Sequence, residues 1–129
     1  MLFVTDTHAL IWFLTMPEKL GLLAKKAFEE AEEGKATIII PTIVLAELLY
    51  LLEKKKANKD FGKIVEKVEK SSNYTVASLD MEVLKRVEII KNIPELHDRI
   101  ITATALIFNA KIITKDSQIA KSKNVGVVW

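Results

Sequence analysis

The chain has 129 residues, half of them hydrophobic, and a formal net charge of +2. This size and composition predict one domain over residues 1–129, with a core that needs no covalent cross-link. Because cysteine is absent, disulfides, thiolate zinc sites and cysteine nucleophiles are excluded, and a reducing, cytoplasmic setting is indicated. No apolar run is long enough to span a bilayer, so a membrane role is excluded as well.

Short apolar runs alternate with longer helical patterns along the chain. The short runs predict five β-strands, at residues 2–5, 36–40, 74–78, 111–114 and 125–128. The longer patterns predict helices at residues 8–14, 20–34, 41–55, 61–68, 80–90 and 98–109, and a short helix after Asp116. The lysine-rich stretch KKKANKD (54–60) predicts an exposed turn between two helices.

In three of the helices, the spacing of apolar residues predicts the face that packs on the core. Apolar side chains three and four residues apart lie on one side of a helix. They are Leu20, Leu23, Ala24, Ala27, Phe28 and Ala31 in the second helix, Phe61, Ile64, Val65 and Val68 in the fourth, and Leu84, Val87 and Ile90 in the fifth.

Strands that are apolar throughout and separated by helices are typical of a parallel sheet covered on both faces, with right-handed crossovers. We therefore expect an α/β fold, a three-layer α/β/α sandwich around a central, mostly parallel five-stranded sheet. In such a sheet, ligands bind beyond the carboxyl ends of the strands. Residues just after a strand are therefore the first candidates for a functional site.

Two aspartates occupy such positions. Asp6 directly follows the strand LFVT, and Asp116 follows the strand KIIT within TKDSQIA. Aspartate is a preferred helix N-cap, and a helical pattern begins after each of them. Taken alone, each residue is explained either as a cap or as a metal ligand.

Two further acids stand in helices. Asp98 opens the predicted helix DRIITATALIFN, where its charge would complement the helix dipole. Glu47 lies inside the helix IVLAELLYLL, where no broad polar face surrounds its carboxylate. A carboxylate in apolar surroundings usually has a polar partner or a metal, so Glu47 is the clearest functional candidate.

The four acids together predict a metal site. Two carboxylates about 6 Å apart repel by roughly 3 kcal/mol at an effective dielectric constant near 20, so a converging cluster needs a cation. Oxygen ligands without cysteine select Mg²⁺ or Mn²⁺ over zinc or copper. Such ions suit phosphoryl chemistry, because they lower the pKa of a bound water and offset charge on the phosphate.

The segments DTHALIW, a glutamate in an apolar helix, HDRIITATA and TKD resemble, in this order and spacing, the PIN-domain family and specifically small prokaryotic VapC-type toxins. The resemblance covers essentially the whole chain. It implies a PIN-like nuclease domain and a Mg²⁺- or Mn²⁺-dependent ribonuclease whose catalytic and metal-binding acids match Asp6, Glu47, Asp98 and Asp116. It also implies hydrolysis of RNA by a metal-activated water, leaving a 5′-phosphate and a 3′-hydroxyl. The implied protein partners are a second copy of the chain and a small VapB-like antitoxin.

Three residues beside these acids are candidates for supporting contacts. Thr114, in the T-x-D pattern of TKD, is placed to hydrogen-bond one of the carboxylates, and Thr7 is comparable. Arg99 is placed to pair with an acid or to touch a phosphate, with a structural ion pair favoured.

The histidines and aromatic residues have ordinary structural explanations. His97 is expected at the surface or in a cap rather than as a general acid, and His8 in packing or beside the acids. Trp12, Phe13 and Trp129 would stack on bases if exposed, but core or interface positions are favoured. The apolar excess of HALIWFL and IVLAELLYLL would suit a protein interface.

Other functional classes remain open at this point. A phosphatase with an aspartyl nucleophile needs a second Asp two residues after Asp6, and His8 stands there instead. A response-regulator receiver needs an acidic pair near the first strand and an Asp after the third, and neither is present. A catalytically silent RNA-binding or partner-binding module would keep the fold without needing the acids, and all four acids are present.

Overall fold

The computed structural model describes all 129 residues and contains one sheet of five parallel strands. The strands run across the sheet in the order β3-β2-β1-β4-β5. Their bounds are β1 (Leu2–Thr5), β2 (Thr37–Pro41), β3 (Tyr74–Ala77), β4 (Lys111–Ile113) and β5 (Val127–Val128). The predicted α/β fold is confirmed, with a sheet that is wholly rather than mostly parallel.

Seven α-helices connect the strands, and a short 3₁₀ turn (Pro17–Lys19) separates the first two. The helices are α1 (Thr7–Thr15), α2 (Leu22–Glu32), α3 (Thr42–Lys54), α4 (Phe61–Lys70), α5 (Met81–Ile89), α6 (Leu96–Phe108) and α7 (Ser117–Ser122). From β1 to β3 the chain moves toward one edge of the sheet, and from β3 to β5 toward the other. Right-handed crossovers in opposite directions place α1–α4 and α5–α7 on opposite faces.

Aspartate side chains explain where four of the helices begin. A carboxylate of each accepts a backbone N–H from the first turn, as an N-cap does. These aspartates are Asp6 before α1, Asp60 before α4, Asp80 before α5 and Asp116 before α7. The remaining one of the five aspartates, Asp98, lies in the first turn of α6 and caps nothing.

The core lies on both sides of the sheet. Fully buried isoleucines of β2 and β4 (Ile38, Ile39, Ile40, Ile112 and Ile113) form its centre. On one side, Phe13 of α1 stacks on Phe28 of α2, with ring centroids 4.4 Å apart. A smaller cluster that includes Val83 and Ile100 joins α5 to α6.

Three predictions about buried faces are wrong. Leu23 is 54% exposed on α2, and Leu84 is 44% exposed on α5, where Val83 takes the core position instead. The strand β3 is not apolar throughout, because it lies at the sheet edge and exposes Thr75 and Val76. Spacing alone does not tell which of two overlapping apolar stripes faces the core.

Several boundaries differ from the predicted ones. The helix α6 begins at Leu96, two residues before Asp98, while Asn109 ends it in a left-handed conformation as expected. The strand β2 starts at Thr37 and continues to Pro41, so this proline ends the strand and precedes the helix. The segment 54–60 forms the predicted exposed turn between α3 and α4.

The two apolar segments expected to supply interfaces are mostly used by the chain's own core. In α1, Ala9, Leu10 and Ile11 are buried. In α3, three residues are buried as well, whereas Leu49 and Tyr50 remain exposed. None of the helices combines the length and the apolar character that a bilayer crossing requires.

Candidate active site

Asp6 and Asp116 lie side by side because the strands that precede them are neighbours. Thr5 of β1 pairs with Ile113 of β4, and the Asp6 N–H donates to the Ile113 carbonyl at 3.2 Å. Beyond this pair, Thr114 joins the two aspartates. Its hydroxyl donates to Asp6 Oδ2 at 2.5 Å and accepts the Asp116 N–H at 3.0 Å. The chain turns to opposite faces after β1 and β4, which opens a crevice at this point.

Both aspartates also cap helices. Asp6 Oδ1 accepts the Ala9 N–H at 2.8 Å, and Asp116 Oδ1 accepts the N–H groups of Gln118 and Ile119 at 2.8 and 3.0 Å. The other oxygen of Asp116 accepts no hydrogen bond from the protein. Both aspartates are therefore helix caps, and capping occupies only one oxygen of each carboxylate, so it does not exclude a metal at the other.

The environment of Asp6 disfavours its charge. Burial raises the pKa of the Asp6 carboxyl above its ordinary value, and the nearby charge of Asp116 raises it further. Hydrogen bonds from Thr114 and from the Ala9 N–H lower the pKa, as does the charge of His8, but burial outweighs them. A cation beside Asp6 would relieve this cost.

Asp98 faces these two residues from the first turn of α6. Burial raises the pKa of the Asp98 carboxyl to about 6, and the negative charges of Asp116, Glu95 and Asp6 contribute to this rise. The charge of His97 lowers the pKa of Asp98, but by less than burial and the three negative charges raise it. The Asp98 carboxylate accepts no hydrogen bond from the protein, so both of its oxygens are available to a ligand.

Glu47 reaches the same region from α3. Its Oε1 accepts a hydrogen bond from Thr7 Oγ1 at 3.2 Å, and His97 Nδ1 lies 3.6 Å from the same oxygen. One third of the Glu47 side chain is exposed (33%), and its second oxygen accepts no hydrogen bond from the protein. The prediction that Glu47 has a polar partner is confirmed.

All four predicted acids line one open cleft of about 500 Å³ at the carboxyl edge of the sheet. Sequence reasoning missed Glu95 and Lys115, because exposed lysines and glutamates are common in this chain. Glu95 follows no strand, and Lys115, although it follows the predicted strand 111–114, is one of 17 lysines. The complete lining is Asp6, Thr7, His8, Trp12, Glu47, Glu95, His97, Asp98, Ile101, Lys115 and Asp116.

Comparison with known proteins identifies the family of the chain that forms this cleft. A family model described as PIN domain matches residues 3–124. The chain belongs to the PIN domain family. No curated protein sequence matches it.

Solved structures share this PIN fold along the whole chain. A chain of VapBC2 from Rickettsia felis, determined with a DNA fragment from their promoter, is 18% identical, with a TM-score of 0.74 over 99% of this chain and 98% of that one. A chain of a toxin-antitoxin complex from Klebsiella pneumoniae is 22% identical, with a TM-score of 0.71 over 98% and 95%. A chain of FitAcB from Neisseria gonorrhoeae is 17% identical, with a TM-score of 0.72 over 98% and 96%. At these identities the likeness is one of fold.

The donor atoms of this PIN domain fit a hard divalent cation. Nearly all are carboxylate oxygens, and the chain has no cysteine. No three acidic or imidazole side chains stand close enough to hold one ion jointly as they are placed. Mg²⁺ commonly takes only one or two carboxylates and keeps several waters, and Asp98 and the second oxygen of Asp116 are available for that.

The remaining predicted contacts of the PIN domain have mixed outcomes. Thr7 and Thr114 hydrogen-bond acids, as expected. Arg99 forms no ion pair; its guanidinium donates to the backbone carbonyls of Ile93 and Pro94 and so shapes the turn before α6.

The histidines and aromatic residues divide between the cleft and the core. His97 is not merely a surface or capping residue, since it faces Glu47 in the cleft. Phe13 packs in the core as expected. Trp12, by contrast, is a partly buried residue that lines the cleft, with Trp129 and His8 against it.

The central role of Thr114 makes a stability prediction. Thr114→Val keeps the side-chain volume but leaves the buried Asp6 Oδ2 and the Asp116 N–H without their partner. We expect the free energy of unfolding to fall by about 1–3 kcal/mol, the cost of unsatisfied buried polar groups. Urea denaturation at pH 7.5 without metal measures this.

Thr102→Val is the matched control. The Thr102 hydroxyl is buried and has no hydrogen-bond partner, so its removal is expected to leave stability unchanged or to raise it. An equal loss in both variants would mean that the Thr114 hydrogen bonds do not stabilise the cleft.

Proposed function

We propose that this chain is a single PIN nuclease domain, a Mg²⁺- or Mn²⁺-dependent endoribonuclease that acts as the VapC-type toxin of a type II toxin-antitoxin pair. The observation that carries the proposal is that Asp6, Glu47, Asp98 and Asp116 line one cleft at the carboxyl edge of the sheet. Carboxylates gathered there, with the pKa of Asp98 raised to about 6, are stabilised by a bound cation.

In this proposal Asp98 and Asp116 would hold the cation directly, and Asp6 would hold it through a water molecule. When bound, the cation lowers the pKa of an attacking water and offsets the charge that develops on the phosphate. Thr114 keeps Asp6 and Asp116 at a constant separation through its two hydrogen bonds. The site is therefore organised before substrate arrives.

Glu47 orients the attacking water. Thr7 donates to its Oε1, which fixes the carboxylate and leaves Oε2 to accept a proton from the water. Attack on the phosphorus breaks the bond to the 3′ oxygen, which takes up a proton from solvent. The products are a 5′-phosphate and a 3′-hydroxyl.

The partners in this proposal are RNA, a second copy of the chain and a small VapB-like antitoxin, in a cytoplasmic setting. The likeness in fold to chains of VapBC2 and of another toxin-antitoxin complex supports the proposal of an antitoxin partner. The helix α5 leaves Met81, Leu84 and Ile89 exposed, an apolar surface that a homodimer would cover. A basic antitoxin side chain in the acidic cleft would account for inhibition.

The test is RNA cleavage by the purified chain, with the RNA ends sequenced after incubation with Mg²⁺, with Mn²⁺ or with EDTA. We expect new 5′-phosphate and 3′-hydroxyl ends that need a divalent cation. Ends that carry a 2′,3′-cyclic phosphate and that form equally in EDTA would contradict the mechanism. RNA binding without cleavage would favour the silent binding module instead.

A further inference from the structure

One wall of the cleft is aromatic and basic rather than acidic. It consists of His8, Trp12 and Lys115, which line the cleft, and of Lys19 and Trp129, which contact the Trp12 ring. We call these five residues the Trp12 wall. Nothing in the proposed hydrolysis uses them, although they border the cleft that holds the acids.

Two neighbouring rings contact the Trp12 indole and hold it in place. The Trp129 ring meets it edge-on, with centroids 5.8 Å apart, and the His8 ring lies 5.6 Å away on the same helix. Trp129 is itself fixed, because its carbonyl accepts the Leu23 N–H at 3.0 Å. A side chain at Gly21 would place its Cβ 2.5 Å from the Trp129 backbone carbon, so glycine permits this close approach.

Two cations accompany the indole. The ammonium groups of Lys19 and Lys115 lie over the Trp12 ring, 5.6 and 6.0 Å from its centre. Both side chains are exposed, and neither forms an ion pair with an acid of the chain. They are therefore available to an anionic ligand at the edge of a cleft that is otherwise mostly acidic.

We propose that the Trp12 wall binds one unpaired nucleotide of the RNA next to the phosphate that is cleaved. The base displaces these two exposed ammonium groups from over the Trp12 ring and stacks there, while Lys115 and Lys19 contact the flanking phosphates. A preorganised aromatic ring with adjacent lysines is the usual platform for single-stranded nucleic acid, because every base offers a face for stacking. The proposal rests on the proposed ribonuclease function and names a substrate contact for it: one base of the RNA stacked on Trp12.

The test compares RNA binding by matched variants. The probe is a labelled 12-nucleotide single-stranded RNA of mixed sequence, measured by fluorescence anisotropy with Mg²⁺, with every variant in an Asp98→Asn background to prevent turnover. We expect Trp12→Leu to weaken binding about tenfold and Trp12→Phe to weaken it about threefold or less. Phe13→Leu is the control, because Phe13 is the next aromatic residue but stacks on Phe28 away from the cleft.

Two further measurements separate stacking from a structural role. A series of probes, each lacking one base, is compared next. The difference in RNA affinity between Trp12→Leu and its parent should disappear for only one position of the missing base. Lys115→Gln should lower the salt dependence of binding by about 0.7 in the log–log slope, as expected for one single-strand phosphate contact. If Trp12→Leu fails to fold, quenching of Trp12 fluorescence by the RNA in Trp129→Phe decides instead.

The outcomes distinguish this inference from the proposed function. If folded Trp12→Leu binds RNA as its Asp98→Asn parent does, and if Trp12→Leu without that background cleaves RNA as the unmodified chain does, the inference is overturned and the ribonuclease stands. If the unmodified chain cleaves no RNA, the proposed function fails, while the anisotropy series still decides whether the wall binds a base. If Trp12→Leu spares RNA binding and weakens binding of a protein partner, the wall is a protein-docking surface and the inference is overturned.

Discussion

Asp98→Asn and Asp6→Asn are each expected to reduce metal-dependent RNA cleavage by roughly 100-fold or more. Each substitution removes one negative charge from the set that holds the cation. A loss of about 3 kcal/mol of charge stabilisation in the transition state corresponds to a factor of about 100, at tenfold for each 1.4 kcal/mol. Initial rates on a fluorogenic RNA, measured over a range of Mg²⁺ concentrations, test this.

Both variants are expected to keep their fold. In Asp6→Asn the amide oxygen still accepts the Ala9 N–H, because asparagine caps a helix about as well as aspartate. Its amide group donates to the Thr114 hydroxyl, which turns to accept. Asp98 hydrogen-bonds nothing in the protein, so its replacement breaks no contact. Circular dichroism and melting curves check both expectations.

Asp80→Asn is the matched control for the activity measurement. Asp80 caps α5 through the Val83 N–H at 3.1 Å, in the same way as Asp6 caps α1, but it does not line the cleft. We expect its cleavage rate to equal that of the unmodified chain. Full cleavage by both Asp6→Asn and Asp98→Asn would exclude the cleft as the nuclease site.

Without metal, Asp98→Asn is expected to melt at a higher temperature than the unmodified chain at pH 7.5. Burial and neighbouring carboxylates raise the pKa of Asp98 from 3.8 to about 6. At 1.4 kcal/mol for each pKa unit, this shift corresponds to at most ~3 kcal/mol of destabilisation. Because the side chain is partly exposed, solvent screening reduces the effect to about 1 kcal/mol, or roughly 3–5 °C.

The size of this effect depends on pH. Below pH 3.8, Asp98 carries its proton in both the folded and the unfolded chain, so its ionisation costs nothing. Between pH 3.8 and about 6 the folded chain keeps a proton that the unfolded chain has lost. Above pH 6 both states are ionised and the folded state carries the full repulsion. The advantage of Asp98→Asn should therefore be greatest above pH 6 and shrink toward pH 4.

Addition of Mg²⁺ should reverse the order of the two melting temperatures. A cation that binds only the folded chain raises the free energy of unfolding. This increase grows with the logarithm of the ratio between the cation concentration and its dissociation constant. The unmodified chain gains this stabilisation, whereas Asp98→Asn loses most of it. A metal-free Asp98→Asn that melts no higher than the unmodified chain would mean that the carboxylates do not repel one another.

The order of strands and helices could be predicted from local patterns. Five β-branched runs, four aspartate caps and the left-handed Asn109 all express the backbone preferences of a few consecutive residues. Where two apolar stripes overlap, as at Val83 and Leu84, the same patterns failed. Which stripe is buried depends on the helix or sheet that packs against it.

Four of the acids that line the cleft were predicted from the sequence, and so were the hydrogen bonds of Thr7 and Thr114 to acids. Asp6 and Asp116 stand out because they follow strands of a parallel sheet, and Glu47 because its helix is otherwise apolar. Lys115 also follows a strand, but in a chain with many exposed lysines its residue type does not single it out. Glu95 carries no signal of position, because its place in the cleft results from the approach of α6 to β1 and β4, which no stretch of sequence encodes locally.

The sequence by itself determined the chemistry that this protein can offer: oxygen ligands, no thiolates, and carboxylates at the ends of strands and in helix caps. The tertiary structure alone decided which of these groups meet. Because β4 pairs with β1 rather than with β3, Thr114 bonds Asp6 across 108 residues of chain. The same pairing brings Lys115 to the cleft that Trp12 lines, and such contacts depend on strand order, which local backbone preferences do not specify.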